Sequence, residues 1–178
     1  MDVLAFEVTS LIDEKPSLVW QSPTYDLFVD ENNSRQWDIT VSDDILVVGY
    51  PLGFSQGVTN LPLVRSGMIA TRIDQAIRDD FLELNGTRRQ RTLPGFLFDG
   101  ATIPGSSGSP VILKPTPSRL INGAMVTAYV PALLLGIVAE TRYAPIQVGT
   151  NSIPSFAGLG LAFHAETIKE TIELFFTV

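Results

Sequence analysis

The sequence predicts an all-β protein that ends in one α-helix. Short apolar runs rich in Val, Ile or Leu recur between turn residues; they cover residues 3–8, 45–48, 67–71, 110–113, 133–139 and 159–163. Such runs, bounded by Gly, Pro, Asn or Asp, are typical of β-strands. Because they do not alternate with long helical segments, they favour a β-barrel or a β-sandwich over repeated β-α units.

Helical periodicity is clearest at the end of the chain. From Ile168 onward, apolar side chains recur at i, i+4, i+7 and i+8, and charged side chains occupy the opposite face. This pattern predicts an amphipathic helix over about residues 165–176 that packs on the barrel. A weaker period predicts a second short helix within residues 73–84. Residues 11–44 are predicted to be a long acidic connection with one or two strands inside it, near residues 18–20 and 27–29.

Composition and charge exclude several classes of function. The 178 residues carry a net charge of −7, and residues 1–50 hold ten Asp or Glu against two Lys or Arg. An acidic surface argues against binding to nucleic acid or to anionic membranes, and no apolar segment of the sequence is long enough to insert into a bilayer. There is no cysteine and one histidine, His164, so disulfides and multi-histidine metal sites are excluded. No cofactor-binding motif is present, and the sequence does not indicate a compartment.

A serine between glycines precedes one of the predicted strands. Residues 103–112 read Ile-Pro-Gly-Ser-Ser-Gly-Ser-Pro-Val-Ile, which places Ser107 on a tight turn. Glycines there allow backbone conformations that a Cβ atom would forbid, and they let successive N–H groups point into one concavity. Such a turn can present a nucleophilic hydroxyl beside an oxyanion site, but the same composition is found in ordinary surface turns. The choice between the two depends on the rest of the chain.

Five segments, in order, resemble the trypsin-like serine peptidases, and most closely their bacterial-type HtrA group. Residues 2–8 are similar to the strand that begins with the triad aspartate, and residues 47–53 (Val-Val-Gly-Tyr-Pro-Leu-Gly) to the segment between the two barrels. Residues 65–70 (Arg-Ser-Gly-Met-Ile-Ala) resemble the strand that opens the second barrel. Residues 99–110 resemble the nucleophile motif, and residues 158–163 with the helix after them resemble the closing strand and helix. The resemblance covers nearly the whole chain and implies a chymotrypsin-like Greek-key β-barrel fold.

The resemblance also implies roles for individual residues. It makes Ser107 the nucleophile, the N–H groups of Gly105 and Ser107 the oxyanion hole, and Asp2 the residue that orients a catalytic histidine. A polypeptide substrate would bind in an extended form along one strand. The implied substrate-binding residues are Ala101, Ala139, Glu140 and Thr141. Alanine at position 101, the base of the specificity pocket, favours a small or medium apolar side chain, and no cofactor or metal is implied.

The chain departs from this family at the catalytic base. In the family the base is a histidine that precedes the aspartate, whereas here Asp2 is the second residue and His164 lies at the end of the closing strand. His164 is therefore predicted to be a helix-entry or pocket-wall residue, and Asp2 is either the triad aspartate or an exposed terminal residue. Because a serine hydroxyl needs a base to take its proton, we expect no useful peptidase activity from this chain. The alternative is a catalytically silent binding module with the same fold.

The predicted domain organisation is correspondingly incomplete. Residues 1–50 would hold part of a first barrel and the connection between barrels, and residues 51–178 a complete second barrel with the C-terminal helix. An incomplete barrel leaves open strand edges and apolar surface. A partner chain, a homo-oligomer or a rearranged packing would cover them, or the sequence is a piece of a longer protein whose upstream part supplies the histidine. We favour the last explanation.

Overall fold

The structure, a computed structural model, describes residues 24–82, 87–100 and 102–176. Asp2, Ala101 and the strands predicted at residues 3–8 and near 18–20 lie outside the described residues.

The described residues form ten β-strands and two α-helices. The strands are Asp44–Gly49 (β1), Leu63–Ile69 (β2), Ile77–Leu82 (β3), Arg88–Leu93 (β4), Gly95–Asp99 (β5), Pro110–Leu113 (β6), Arg119–Ile121 (β7), Ala124–Val126 (β8), Leu133–Val148 (β9) and Asn151–His164 (β10). The helices are Glu31–Gln36 (α1) and Ala165–Phe175 (α2). Six strands close into an antiparallel barrel in the order β1, β2, β5, β10, β9, β6, and β3–β4 and β7–β8 form two separate strand pairs.

This architecture confirms the predicted fold class. The chain is mostly β, its barrel is closed and antiparallel, and β6 returns to lie beside β1 as in a Greek key. It is compatible with a chymotrypsin-like fold. The closed barrel begins with β1 at Asp44, a few residues before the boundary predicted at residue 50, because β1 pairs with both β2 and β6. The division into two domains stays a prediction.

Alternate side chains of the strands fill the barrel. Successive side chains of a strand point to opposite faces, and the side chains of β1 and β6 accordingly alternate between buried and more exposed positions. The two largest fully buried side chains are Phe96 and Phe98 of β5, and Ile45 and Ile69 are likewise inaccessible to solvent. The core therefore lies inside the barrel, directly behind the strands that carry the predicted site.

The segment before β1 packs against the start of β9. Val29 N–H donates to Leu134 O at 2.8 Å, and α1 begins at a capping box formed by Asp30 and Asn33. The strand predicted near residues 27–29 is reduced to one turn of 3₁₀ helix and a single parallel bridge to Leu134.

The second helix predicted within residues 73–84 is wrong. Ile77–Leu82 forms β3, which pairs with β4 along its whole length. Asp79 lies directly opposite Arg91 and binds it at 2.7 Å. Opposite charges facing each other across a strand pair stabilise the pair, and this tertiary partner outweighs the weak helical period.

The C-terminal helix is confirmed, but Phe176, predicted to lie on its barrel-facing side, is 79% exposed. α2 begins directly after His164, and Ala165 and Thr167 are buried on the side of the barrel. In the part of the chain that the structure describes, no helix is both long and apolar enough to cross a membrane.

Candidate functional site

The serine turn, residues 104–109, is held by its backbone and by one buried hydroxyl. Ser106 N–H donates to Ile103 O, and Ser109 N–H donates to Ser106 O, both at 3.0 Å. The hydroxyl of Ser106 is buried and accepts hydrogen bonds from Arg65 Nη2 at 3.0 Å and from the Ile103 N–H at 3.3 Å. Ser106 therefore fixes the turn to Arg65 and Ile103, and the hydroxyl of Ser107 remains for other contacts.

Two glycines shape the turn around Ser107. Gly105 and Gly108 have φ angles of +87° and +80°, which glycine adopts without a steric penalty. Ser107, between them, is exposed. Within the described residues, neither the Gly105 N–H nor the Ser107 N–H has an acceptor. Two such donors on one tight turn can hold an oxyanion.

The segment after β1 supports the turn from outside. Leu52 N–H donates to Pro104 O at 2.8 Å. A Cβ atom on Gly105 would lie 2.8 Å from Leu52 N, and one on Gly49 would lie 2.0 Å from Ser109 Oγ. Residues 47–53 and residues 99–110, two of the five segments that carry the sequence resemblance, are therefore in direct contact.

The hydroxyl of Ser107 contacts the strand predicted to bind substrate. Ser107 Oγ donates to Ala139 O at 3.4 Å. Gly108 N–H donates to Val138 O at 2.8 Å, and Val138 N–H donates to Ser109 O at 2.9 Å. The structure thus places the predicted nucleophile at the edge of β9, beside the predicted substrate-binding residue Ala139.

Apolar groups of Phe98 and Thr102 pack against Gly160. Thr102 is buried, and its hydroxyl donates a long hydrogen bond to Leu159 O at 3.4 Å. A Cβ atom on Gly160 would lie 2.4 Å from Phe98 Cζ and 2.5 Å from Thr102 Cγ2. A phenyl ring and a methyl group therefore meet at Gly160.

Four charged side chains form a cluster behind β9, here called the charge clamp: Asp79, Arg91, Glu140 and Arg142. Arg91 Nη2 lies 2.7 Å from Asp79 Oδ2 and 2.9 Å from Glu140 Oε2, and Arg142 Nη1 lies 2.9 Å and 3.3 Å from the same two oxygens. Burial acts to raise the pKa of Asp79, but the hydrogen bonds from the two arginines outweigh it and hold that pKa below its ordinary value. Glu140, predicted to bind substrate, thus directs its carboxylate to the clamp, while Thr141 is half-exposed beyond it.

Several residues that support the site were not predicted. Arg65 lies in a segment that carries the resemblance, but nothing in the sequence connects it with Ser106, 41 positions away. Asp79 and Arg91 were not recognised because their contact depends on the register of β3 with β4. The acidic pair at residues 79–80 and the basic residues at 88–91, which are opposite in sign, are the signal that could have indicated a strand pair.

An exposed apolar surface adjoins the serine turn. Between β1 and β2, four large apolar side chains are more than half exposed; they are Leu52, Phe54, Val58 and Leu61. The sequence predicts uncovered apolar surface next to an incomplete first barrel, and what covers this surface stays a prediction.

His164 lies away from Ser107. It pairs with Gly136 of β9, three residues from Ala139, which corresponds to about 10 Å along the strand. Its ring stacks on Phe96 with 5.9 Å between centroids, and it lines a cleft of about 870 Å³ together with α1 and the start of α2. Its Nε2 atom is buried and has no hydrogen-bond partner in the described part of the chain. His164 therefore lies at the entry of α2 and is not placed to act on Ser107.

The burial of His164 makes the free energy of unfolding depend on pH. Burial lowers the pKa of His164, so the folded state favours the neutral ring. The stability that this ring contributes is fully present above the pKa of the unfolded chain, about 6.5, and is lost as the pH falls below that value. The slope is at most about 1.4 kcal/mol per pH unit, and partial exposure of the ring reduces it.

Urea unfolding at pH 7.5 and pH 5.5 checks this prediction. We expect the wild-type protein to lose more stability between the two pH values than His164→Gln does, since glutamine does not titrate. Equal losses in the two proteins would contradict the prediction.

No protein-family model matches this sequence, and no curated protein is significantly similar to it.

Proposed function

We propose that the chain is a homologue of the trypsin-like serine endopeptidases, most similar to the HtrA group, that binds extended polypeptides. The observation that carries the proposal is the position of Ser107. Its hydroxyl is exposed on a turn with positive φ angles on both sides, next to the carbonyl of Ala139 and to two N–H groups that have no acceptor among the described residues. An acyl-transfer site needs a hydroxyl and an oxyanion site in this relation.

The chemistry of the proposed reaction assigns each group a task. Ser107 Oγ would attack the carbonyl carbon of the substrate, and the N–H groups of Gly105 and Ser107 would stabilise the resulting oxyanion. A histidine, oriented by Asp2, would take the hydroxyl proton and return it to the leaving amine. The sequence contains one histidine, and it lies away from Ser107. Loss of one triad member leaves roughly 10³–10⁴-fold acceleration over water in serine peptidases, so the chain alone would hydrolyse peptides very slowly.

Labelling with a fluorophosphonate probe tests the proposal. The probe reacts with activated serine hydroxyls, and without a base we expect slow modification of Ser107. Added imidazole can take the hydroxyl proton from solution, so it should increase the labelling rate. Ser107→Ala should abolish the labelling at every imidazole concentration, as followed by intact-protein mass spectrometry.

Ser109→Ala is the matched control for this experiment. Ser109 lies on the same turn, but its hydroxyl is buried against Gly49. We expect Ser109→Ala to be labelled like the wild-type protein. Labelling that is independent of Ser107, or none even with imidazole, would contradict the role of Ser107 as nucleophile. Rapid labelling without imidazole would show that another group in the chain serves as base.

A second candidate is a binding module with the same fold and no catalysis. It is favoured by the exposed carbonyl of Ala139, because a strand edge binds a peptide through its main chain and does not need the serine hydroxyl. Under this alternative, Ser107→Ala leaves peptide affinity unchanged and imidazole does not produce hydrolysis.

A further inference from the structure

Arg65 lies on the face of β2 that points into the barrel. Alternate residues of a strand share a face, and those on the face of Arg65 are Leu63, Gly67 and Ile69. Ile69 is inaccessible to solvent, and Val47, directly opposite Arg65 on β1, is also buried. Directly opposite residues of paired strands point to the same face of the sheet. The guanidinium of Arg65 therefore extends from the inner face of the barrel.

This position is unfavourable for a charged side chain. Burial lowers the pKa of Arg65, because the charged form loses hydration. An arginine keeps its proton in proteins, so the burial of the charge destabilises the folded state. A methionine would cover a similar length of the same apolar face without this desolvation. The stability of the barrel alone therefore does not account for an arginine at position 65.

The contact between Arg65 and the serine turn gives the arginine a different task. Arg65 Nη2 donates to Ser106 Oγ at 3.0 Å, across 41 positions of the sequence. Ser106 is buried, and the same oxygen accepts the Ile103 N–H at 3.3 Å. A hydrogen bond from a charged donor is about twice as strong as one between neutral groups, so the bond from Arg65 is the stronger of the two. It joins a strand of the barrel wall to the middle of the turn.

The orientation of Ser106 sets the direction of a proposed oxyanion donor. The planar peptide unit that carries the Ser107 N–H begins at the Cα atom of Ser106, so this N–H turns with Ser106. Gly105 and Gly108, which flank the two serines, have more backbone freedom than other residues and restrict the turn less. A fixed point between the two glycines therefore decides where the donor points.

We propose that Arg65 is a positioning residue for the proposed acyl transfer: through the hydroxyl of Ser106, it holds the Ser107 N–H in the direction that an oxyanion requires. The proposal rests on the proposed function, and it adds a residue from outside the serine turn on which the reaction depends. Arg65 does not touch the substrate. A residue of this kind lowers stability and raises the rate, and these two effects can be measured separately.

Arg65→Met tests this separation. The variant keeps a side chain of similar length and removes the charge and the donor, while Ser106 Oγ still accepts the Ile103 N–H. We expect the midpoint of urea unfolding to stay the same or to rise. The imidazole-assisted labelling of Ser107 should fall about tenfold, which is less than the 10²–10³-fold cost of losing a whole oxyanion donor. Labelling at the wild-type rate, or a loss of labelling that follows a loss of stability, would overturn the proposal.

Arg65→Ala provides a second test, which also serves if Arg65→Met does not fold. It leaves a space where the guanidinium was, and guanidinium chloride at millimolar concentration, far below the molar range that unfolds proteins, should restore most of the lost labelling rate. Guanidinium stays protonated, so it cannot replace imidazole as the base. Sodium chloride at the same ionic strength should have no such effect. The absence of rescue in a folded variant, or an equal effect of sodium chloride, argues against the role of Arg65.

Arg72→Met is the matched control. Arg72 follows β2 along the chain, but its side chain is 64% exposed and pairs with Asp74. We expect this variant to be labelled like the wild-type protein and to show no response to guanidinium.

Ser106→Ala removes the group through which Arg65 acts. Labelling should fall as it does in Arg65→Met, and the double variant should lose no more, because residues that act as a unit are not additive. Additive losses would show that Arg65 acts by another route, which overturns the proposal.

The outcomes separate this proposal from the proposed function. If the wild-type protein is not labelled at Ser107 even with imidazole, both are overturned. If the wild-type protein is labelled and Arg65→Met is labelled at the same rate, the role of Arg65 is overturned and the proposed function stands.

Discussion

Phe98→Ala should lower the free energy of unfolding by about 3–5 kcal/mol, the usual cost of removing a fully buried phenylalanine. Phe98 is inaccessible to solvent, and its ring lies against the backbone of Gly160 beside Thr102. Its loss leaves a cavity at the part of the core next to the serine turn, and the barrel strands around it cannot collapse far because each is paired on both sides. Urea unfolding monitored by tryptophan fluorescence measures the effect.

Phe54→Ala is the matched control for Phe98→Ala. It removes the same atoms from a residue that is 60% exposed. We expect a change within about 0.5 kcal/mol, as for most surface substitutions. If the two variants lose similar stability, Phe98 does not have the role in the core that its burial indicates.

Gly105→Ala should damage both the stability and the proposed chemistry of the serine turn. A Cβ atom at this position is strained by the φ angle of +87° and would lie 2.8 Å from Leu52 N and 3.1 Å from Tyr50 O. Both of these contacts are with backbone, which cannot rotate away as a side chain can. The turn must therefore shift, and the two N–H donors shift with it. A misplaced oxyanion donor typically costs about 10²–10³-fold in rate, so imidazole-assisted labelling of Ser107 should fall by a factor of this order.

Gly108→Ala separates the cost of the strained backbone conformation from the cost of the contact that an added Cβ atom makes at residue 105. Gly108 has a similar φ angle of +80°, but a Cβ atom there would meet nothing within 4 Å. We expect both variants to lose about 1–2 kcal/mol through the left-handed backbone conformation, and Gly105→Ala to lose more because of the collision. If Gly105→Ala and Gly108→Ala lose stability and Ser107 labelling to the same extent, the contact of the added Cβ atom with Leu52 has no effect on the turn.

The elements that the sequence predicted well are those whose pattern is local. β6 was predicted with the bounds observed, and β1 and α2 within a residue or two, because an apolar run between turn residues or an amphipathic period is contained in the segment itself. The serine turn was recognised for the same reason, because the glycines before and after Ser107 indicate a tight turn, and both have positive φ angles.

β5 was missed although its apolar run is local, but two other errors of the prediction, at β3 and β9, come from distant partners. β3 has no apolar alternation of its own and is a strand because β4 faces it with complementary charges. β9 was predicted to end at residue 139, but it continues to Val148 because β10 pairs with it and the charge clamp holds its far side. Ser106 and Ser107 are identical neighbours in the sequence, and only the contact with Arg65 shows that one hydroxyl faces inward.

The two prolines in the long β9–β10 ribbon have a consequence for solubility. Pro145 and Pro154 lie directly opposite each other. Neither can donate a main-chain hydrogen bond, so both outer edges of the ribbon are interrupted at the same level. Open strand edges that carry exposed apolar side chains, such as Ile146 and Ile153, are templates for pairing with further strands. We therefore expect the paired prolines to oppose edge-to-edge association of this strand pair.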